Sequence, residues 1–243
     1  MTSTVGTPGR LCNHIIRNIC VSMIAERNNL KVEYSYYREI KTLGISLFSG
    51  TNIYKNSIDL HSNNFFEILN KNIKSNINAY NDFFQTEEIT KIIYYHLQNI
   101  KTEIINNNIF KERYNNNNDV FIHIRLSDAE KYNPGYEYYI KVLQFLHYHN
   151  IYICSDSPEH NICQDIKKNF VNVEILYYNE LDTIKFGSTC KYVILSHGSF
   201  SACIGWLSFF SRVFYSEYMP DKIWHGDIFS IPEWNKIPLG GAS

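Results

Sequence analysis

From Val120 to Tyr215 the chain repeats one unit, a short apolar run followed by a stretch with helical patterning. The pattern predicts strands at Val120–Arg125, Ile151–Cys154, Val173–Tyr177, Tyr192–Leu195 and Val213–Tyr215. Between them it predicts helices at Tyr136–His149, from Ser157–Pro158–Glu159 onward, at Leu181–Cys190 and at Ser199–Phe210. Strands that alternate with helices argue for an α/β fold with a parallel, doubly wound sheet. In such a sheet a ligand binds beyond the carboxyl ends of the strands, at a switch point in their order. The polar groups at those ends are His123, Arg125 and Asp128, then Ser155 and Asp156, then Ser196, His197, Gly198 and Ser199. They are expected to converge on one edge.

The stretch VFIHIRLSD, Val120 to Asp128, sharpens that expectation. A strand alternates its faces, so Phe121, His123 and Arg125 share one face and Val120, Ile122 and Ile124 the other. An arginine half-buried at a strand end is costly unless an anion meets it.

The first half is less patterned. A turn, Gly6–Gly9, leads into an amphipathic run from Leu11 to about Arg27, then a short strand near Val32–Tyr36. From Ile40 to Asn118 the sequence is polar and Asn-rich, with helices expected at Phe65–Ile73 and Glu87–Ile105. The boundary is expected at Asn115–Asn118, dividing an N-terminal domain, 1–118, from a C-terminal domain, 119–243.

A net charge of −1 supplies no basic field for nucleic acid or acidic membranes. The six cysteines form no CxxC pair and no metal-ligand spacing with histidine, and several sit in apolar runs, which favours a reducing compartment. No apolar run approaches the ~20 residues of a membrane span. The opening residues lack the continuous apolar core of a signal peptide. A cytoplasmic location is therefore expected, in a bacterium or, for a viral protein, in the host cytosol.

Two turns carry further chemistry. LSHGSFSACIGW, Leu195–Trp206, joins a strand to a helix through Gly198, and helix N-terminal amides with the Ser199 hydroxyl suit a phosphate. The same residues also suit a simple capped turn. A hydrolase reading places a nucleophile at Ser201 with Asp221 and His225 following, but the flanking glycines of a nucleophile elbow are missing. GTPGRLCNH resembles a phosphate loop without the GK[ST] of a P-loop, with Arg10 and Asn13 bracketing the helix start.

Taken in order, these segments resemble glycosyltransferase family 11, the α-1,2-fucosyltransferases and their relatives. GRLCNH, Gly9–His14, is similar to the family opening GRLGNQ, and HIRLSD, His123–Asp128, to the HxRxxD pattern of the wider fucosyltransferase superfamily. IYICSDSP, Ile151–Pro158, resembles a strand ending in SDDP, and CKYVILSHGSFSACIGWL, Cys190–Leu207, resembles CKHNIIANSSFSWWGAWL.

The resemblance implies a GT-B-like architecture of two Rossmann-type halves and an inverting, metal-independent transfer of fucose from GDP-fucose to a hydroxyl of a glycan acceptor. It places Arg125 on the donor β-phosphate and His123 on the nucleoside. Ser199, the Phe200 backbone and Ser201 fall on the phosphate side, and Asp182 on guanine. Gly9, Arg10 and Asn13 would close over the donor from the N-terminal, acceptor-side domain. A guanidinium fork matches a diphosphate and offsets the charge on leaving GDP. Asp128 is the first candidate for the base and Glu130 the second. No cofactor or metal is implied beyond the donor.

The chain departs from the family at Leu126, which replaces a second arginine, and at Ser127, Cys12, His14 and Ala202–Cys203. One cation fewer leaves open another nucleoside-diphosphate 6-deoxysugar, or a catalytically silent sugar-nucleotide- or glycan-binding module. Oligomeric state has no signature in the sequence.

Overall fold

The computed structural model describes residues 1–239. Its strands form two sheets, both parallel throughout. The first holds β1 (Thr2–Ser3), β2 (Val32–Glu33), β3 (Ser57–Asp59) and β4 (Asn76–Asn78) in the order β2-β1-β4-β3. The second holds β5 (Val120–Ile124), β6 (Ile151–Ser155), β7 (Val173–Ile175), β8 (Tyr192–Leu195), β9 (Arg212–Ser216) and β10 (Asn235–Ile237). Their order, β10-β9-β8-β5-β6-β7, is that of a Rossmann sheet, with its switch point between β5 and β8. In the first sheet β1 and β4 are the central pair, flanked by β2 and β3. The chain is thus an α/β protein of two Rossmann-type halves, the GT-B arrangement.

Helices α1 (Leu11–Asn28), α2 (Tyr37–Thr42), α3 (Phe65–Leu69), α4 (Glu87–Asn99) and α5 (Lys101–Asn106) belong to the first half. The second carries α6 (Tyr136–Leu143), α7 (Asn161–Asn169), α8 (Glu180–Gly187) and α9 (Ser199–Trp206). Face alternation along β5 sorts the core. Val120, Ile122 and Ile124 pack with Tyr139 and Val142 of α6 and Ile166 of α7, while Phe121 looks the other way. On that second side the apolar core runs without a break from α8 and α9 into α1 and the first sheet. Helix α1 is accordingly buried around most of its circumference, as a helix sandwiched between two layers must be.

Several elements end earlier than their sequence patterns predict. The helix expected to His149 stops at Leu143, because His149 N–H is needed by the Asn118 carbonyl at 2.8 Å to start β5. The helix expected over Glu87–Ile105 breaks at Ile100, and α5 then lies against Gly44, whose φ of +82° leaves no room for a Cβ beside Ile104. The helix after Ser157 begins only at Asn161, where the His160 ring caps the Ile162 amide at 3.2 Å. The helix expected over Leu181–Cys190 runs Glu180–Gly187, and that expected to Phe210 ends at Trp206. The strand expected to Tyr36 ends at Glu33, since the Ser35 amide turns instead to Thr4 Oγ1 at 3.0 Å. Strands β1, β3, β4 and β10 have no sequence signature. They are two or three residues long and mostly polar.

Candidate functional site

The β5/β8 switch point and the carboxyl ends of β1 and β4 open onto one cleft of about 690 Å³. From the first half come the loop after β1, with Gly9 and Arg10, the start of α1 with Cys12 and Asn13, and Phe83 and Gln85 after β4. From the second half come His123 and Arg125 at the end of β5, Asp156 after β6, and the His197–Phe200 turn after β8.

The loop after β1 is shaped from beneath by Arg17, a fully buried guanidinium. It donates to Thr7 Oγ1 at 2.9 Å and to the Pro8 carbonyl at 3.0 Å, and its Nη2 and Nε reach the Asp82 carbonyl at 3.0 and 3.2 Å. One side chain thus ties together the two loops that the first sheet sends to the cleft. Gly9 has φ +115°, and a Cβ there would stand 2.7 Å from the Asn13 Cβ, so only glycine fits beside Asn13. Asn13 Oδ1 in turn accepts from Gln85 Nε2 at 3.1 Å.

Arg125 sits one residue beyond β5 and Asp156 one residue beyond β6, neighbouring positions in the register Ile124 to Ser155. Their side chains pair, and Asp156 Oδ1 also accepts the Leu126 amide at 2.8 Å. Asp156 therefore anchors the arginine rather than capping α7. The other end of the guanidinium pairs with Asp128, which also takes Arg10 Nη2 at 2.8 Å from across the cleft. Arg10 and Asp128 are mostly exposed, a pair worth no more than about 1 kcal/mol. The anions that face Arg125 here are two of the protein's own carboxylates. Glu130 points away from this cluster, to His160 Nε2 at 3.1 Å.

His123 is buried under the cleft. Its Nδ1 lies 2.5 Å from Ser201 Oγ and its ring 5.0 Å from that of Phe200. Burial first, and the Arg125 charge second, push its pKa down to about 3, so the ring is neutral. Ser201 is fully buried and outside the cleft lining, with its hydroxyl against His123. The hydrolase constellation is absent, because both His225 nitrogens are occupied. Its Nε2 accepts the Gly198 amide at 3.0 Å and its Nδ1 donates to the Gly226 carbonyl at 2.7 Å.

Asp182 also lies outside the cleft lining. Its carboxylate accepts from Asn179 Nδ2 at 2.6 Å while its amide is capped by Asn179 Oδ1 at 2.8 Å, a closed exchange at the start of α8. The cleft takes Glu180 instead, with Tyr178 and Thr183. Two helical steps separate Glu180 from Asp182 by about 200°, so only one of the two can face inward.

Helix α9 starts at Ser199 behind Gly198, whose φ of +95° and 3.1 Å clearance to the Trp224 ring exclude a side chain. No side chain caps its first turn. Ser199 and Phe200 line the cleft, and the helix dipole adds positive potential there. Sequence reasoning missed Phe83, Gln85, Tyr132, Tyr178, Glu180, Trp224 and Arg17. All but Tyr178 and Glu180 lie in segments without a motif. Those two flank an N-cap asparagine, Asn179, a signal that could have placed them at a helix entry.

Among the described residues no group of three or more His, Cys, Asp or Glu is arranged to hold a metal ion, and no helix is long and apolar enough to cross a membrane. No known family's sequence profile matches the chain, and no curated protein is similar to it. Among solved structures it is similar to the NodZ alpha-1,6-fucosyltransferase soaked with GDP-fucose, at 14% identity and a TM-score of 0.36, over 56% of this chain and 53% of that one. The same enzyme co-crystallised with GDP matches at 13% identity and a TM-score of 0.34, over 56% and 52%. The fucosyltransferase NodZ from Bradyrhizobium matches at 14% and 0.34, over 56% and 53%. The chain spans about half the length of these enzymes.

Proposed function

We propose that the chain is a glycosyltransferase that moves fucose, or a related 6-deoxysugar, from a nucleoside diphosphate, GDP-fucose first, to a glycan hydroxyl. The observation that carries this reading is the placement of Arg125 and the uncapped start of α9 on either side of the β5/β8 switch point, in one cleft. A diphosphate between them meets a guanidinium fork and a positive helix end, both of which stabilise charge gathering on the leaving group. Glu180 then accepts from the donor edge of guanine, while neutral His123 and Phe200 flank the nucleoside. Arg10, Gly9 and Asn13 approach from the other half. The departing GDP is stabilised by side chains and amides alone, with inversion at the sugar carbon and Asp128 taking the acceptor proton.

A second reading, a silent sugar-nucleotide-binding module, is favoured by one observation. Asp128 is committed to two arginines, which suits a latch as well as a base.

A thermal-shift panel with GDP, UDP, dTDP and CDP, each with and without EDTA, tests both. GDP alone should raise Tm, unchanged by EDTA, and Arg125→Ala should abolish the shift, costing about 3 kcal/mol in transition-state stabilisation where turnover is measured. A preference for UDP or dTDP overturns the donor. GDP binding with no GDP-fucose turnover on any glycan leaves the silent module.

A further inference from the structure

A second cavity of about 600 Å³ lies wholly in the C-terminal half, between α6, the segment after β9 and the chain beyond β10. It shares Lys131, Tyr132 and His197 with the cleft, so the two spaces meet along one wall. An aromatic pair stands at that junction, Tyr132 and Trp224, with ring centroids 5.0 Å apart. Trp224 is 47% exposed, and its indole is seated against Gly198 at the start of α9. Lys131 Nζ lies 4.8 Å from the Tyr132 ring centre, a further contact that holds the ring in place. A large indole left half in solvent, yet held in place by a turn, is a platform for an apolar ligand face.

The rim beyond the platform carries both signs. Lys141 and Lys222 line it together with Glu137, Glu217 and Gln144. An anion site would concentrate cations, and an apolar ligand would want neither sign. Ammonium groups only donate hydrogen bonds and carboxylates only accept them, so the mixture matches hydroxyl groups, which do both. A volume of this size is that of a ligand pocket.

We propose that this cavity is the distal subsite for the glycan acceptor. The acceptor is an uncharged oligosaccharide whose reacting unit lies in the cleft, whose next ring stacks on Tyr132 and Trp224, and whose further units occupy the second cavity. The site rests on the sugar-transfer reading above and moves acceptor selection to the C-terminal half. The first half contributes to the cleft only the Gly9–Asn13 segment, Phe83 and Gln85.

The test uses the full chain on an array of unmodified mono- to hexasaccharides, with wild type beside the double variant Lys141→Ala/Glu217→Ala. Neither residue lines the cleft, so the thermal shift with GDP serves as the folding control. Wild type should retain oligosaccharides and not the corresponding monosaccharides. The double variant should lose that retention by about tenfold with its GDP shift intact. Equal retention of monosaccharides, retention of no glycan, or undiminished retention by the double variant overturns the subsite. The underlying reading fails separately. Oligosaccharide retention that the double variant loses at an unchanged Tm, with no shift from any nucleoside diphosphate, keeps the subsite and sinks the transfer. A GDP shift with no retained glycan does the reverse.

Discussion

At the scale of single residues, the cleft is organised by charges that satisfy one another until a ligand replaces one. Arg125 is only 17% exposed and is held at both ends, by Asp156 from the neighbouring strand end and by Asp128 from the loop. The two carboxylates are not equivalent. Asp156 also carries the Leu126 amide and cannot leave without stranding it, whereas Asp128 is 60% exposed and free to swing out. On the proposed reading, a diphosphate that pairs with Arg125 would displace Asp128 and leave Asp156 in place. Asp128→Asn removes a competing negative charge and should tighten GDP binding about threefold, read by calorimetry. If the same carboxylate takes the acceptor proton, turnover falls by about a hundredfold in that variant, and affinity and rate move in opposite directions. Weaker GDP binding in Asp128→Asn would show that the carboxylate supports the site rather than occupying it.

At the scale of elements, the segment between β9 and β10 clamps the halves together. Gly226 packs so tightly on the first half that an added Cβ would stand 1.7 Å from the Gln85 carbonyl oxygen. Thr90 of α4 donates to the Asp227 carbonyl at 3.2 Å, and Trp234 stands edge-on to Tyr94 of the same helix. Because the contact is with backbone, neither side can yield by a rotamer change. Gly226→Ala should cost about 1–3 kcal/mol, seen as a lower Tm. It should also weaken GDP binding, since Gln85 and its Asn13 partner belong to the cleft wall. An unchanged Tm would mean that the two halves separate more easily than this packing allows.

At the scale of the whole molecule, two buried neutral histidines make the fold acid-sensitive. Burial, aided by Arg125, holds His123 near a pKa of about 3, and burial with the nearby His225 does the same for His197. Both titrate near 6.5 once unfolded. Between those values the unfolded chain binds protons that the folded chain refuses. Their contribution is therefore complete above about pH 6.5 and is lost as pH falls toward about 3, at about 1.4 kcal/mol per pH unit for each histidine. Urea midpoints measured from about pH 7 down to about pH 5 should fall steadily, and His123→Gln should flatten the slope. A midpoint constant over that range would mean that neither histidine is held neutral in the fold, and an unchanged slope in His123→Gln would mean that His123 is not.

Much of the architecture was legible in residue order. The apolar runs at Val120, Ile151 and Tyr192 announce buried parallel strands, because a strand covered on both faces needs little polar alternation. The polar residues ending those runs mark the cleft edge, and Gly9, Arg10, Asn13, His123, Arg125, Asp128, Ser199 and Phe200 do line one cavity. Local pattern could not foresee the strands of the first sheet. Thr2–Ser3 and Asn76–Asn78 become strands only through hydrogen bonds to segments tens of residues away. Nor could it decide which carboxylate faces inward on α8, or that Ser201 would be spent on His123, since both depend on the direction in which a helix start is packed. What the sequence by itself determined was the alternation of elements and the chemistry at their ends, because both follow from neighbours along the chain. The meeting of both sheets' strand ends in one cleft, the self-pairing of Arg125 and the clamp at Gly226 were decided by tertiary structure alone, because their partners are brought together only by packing.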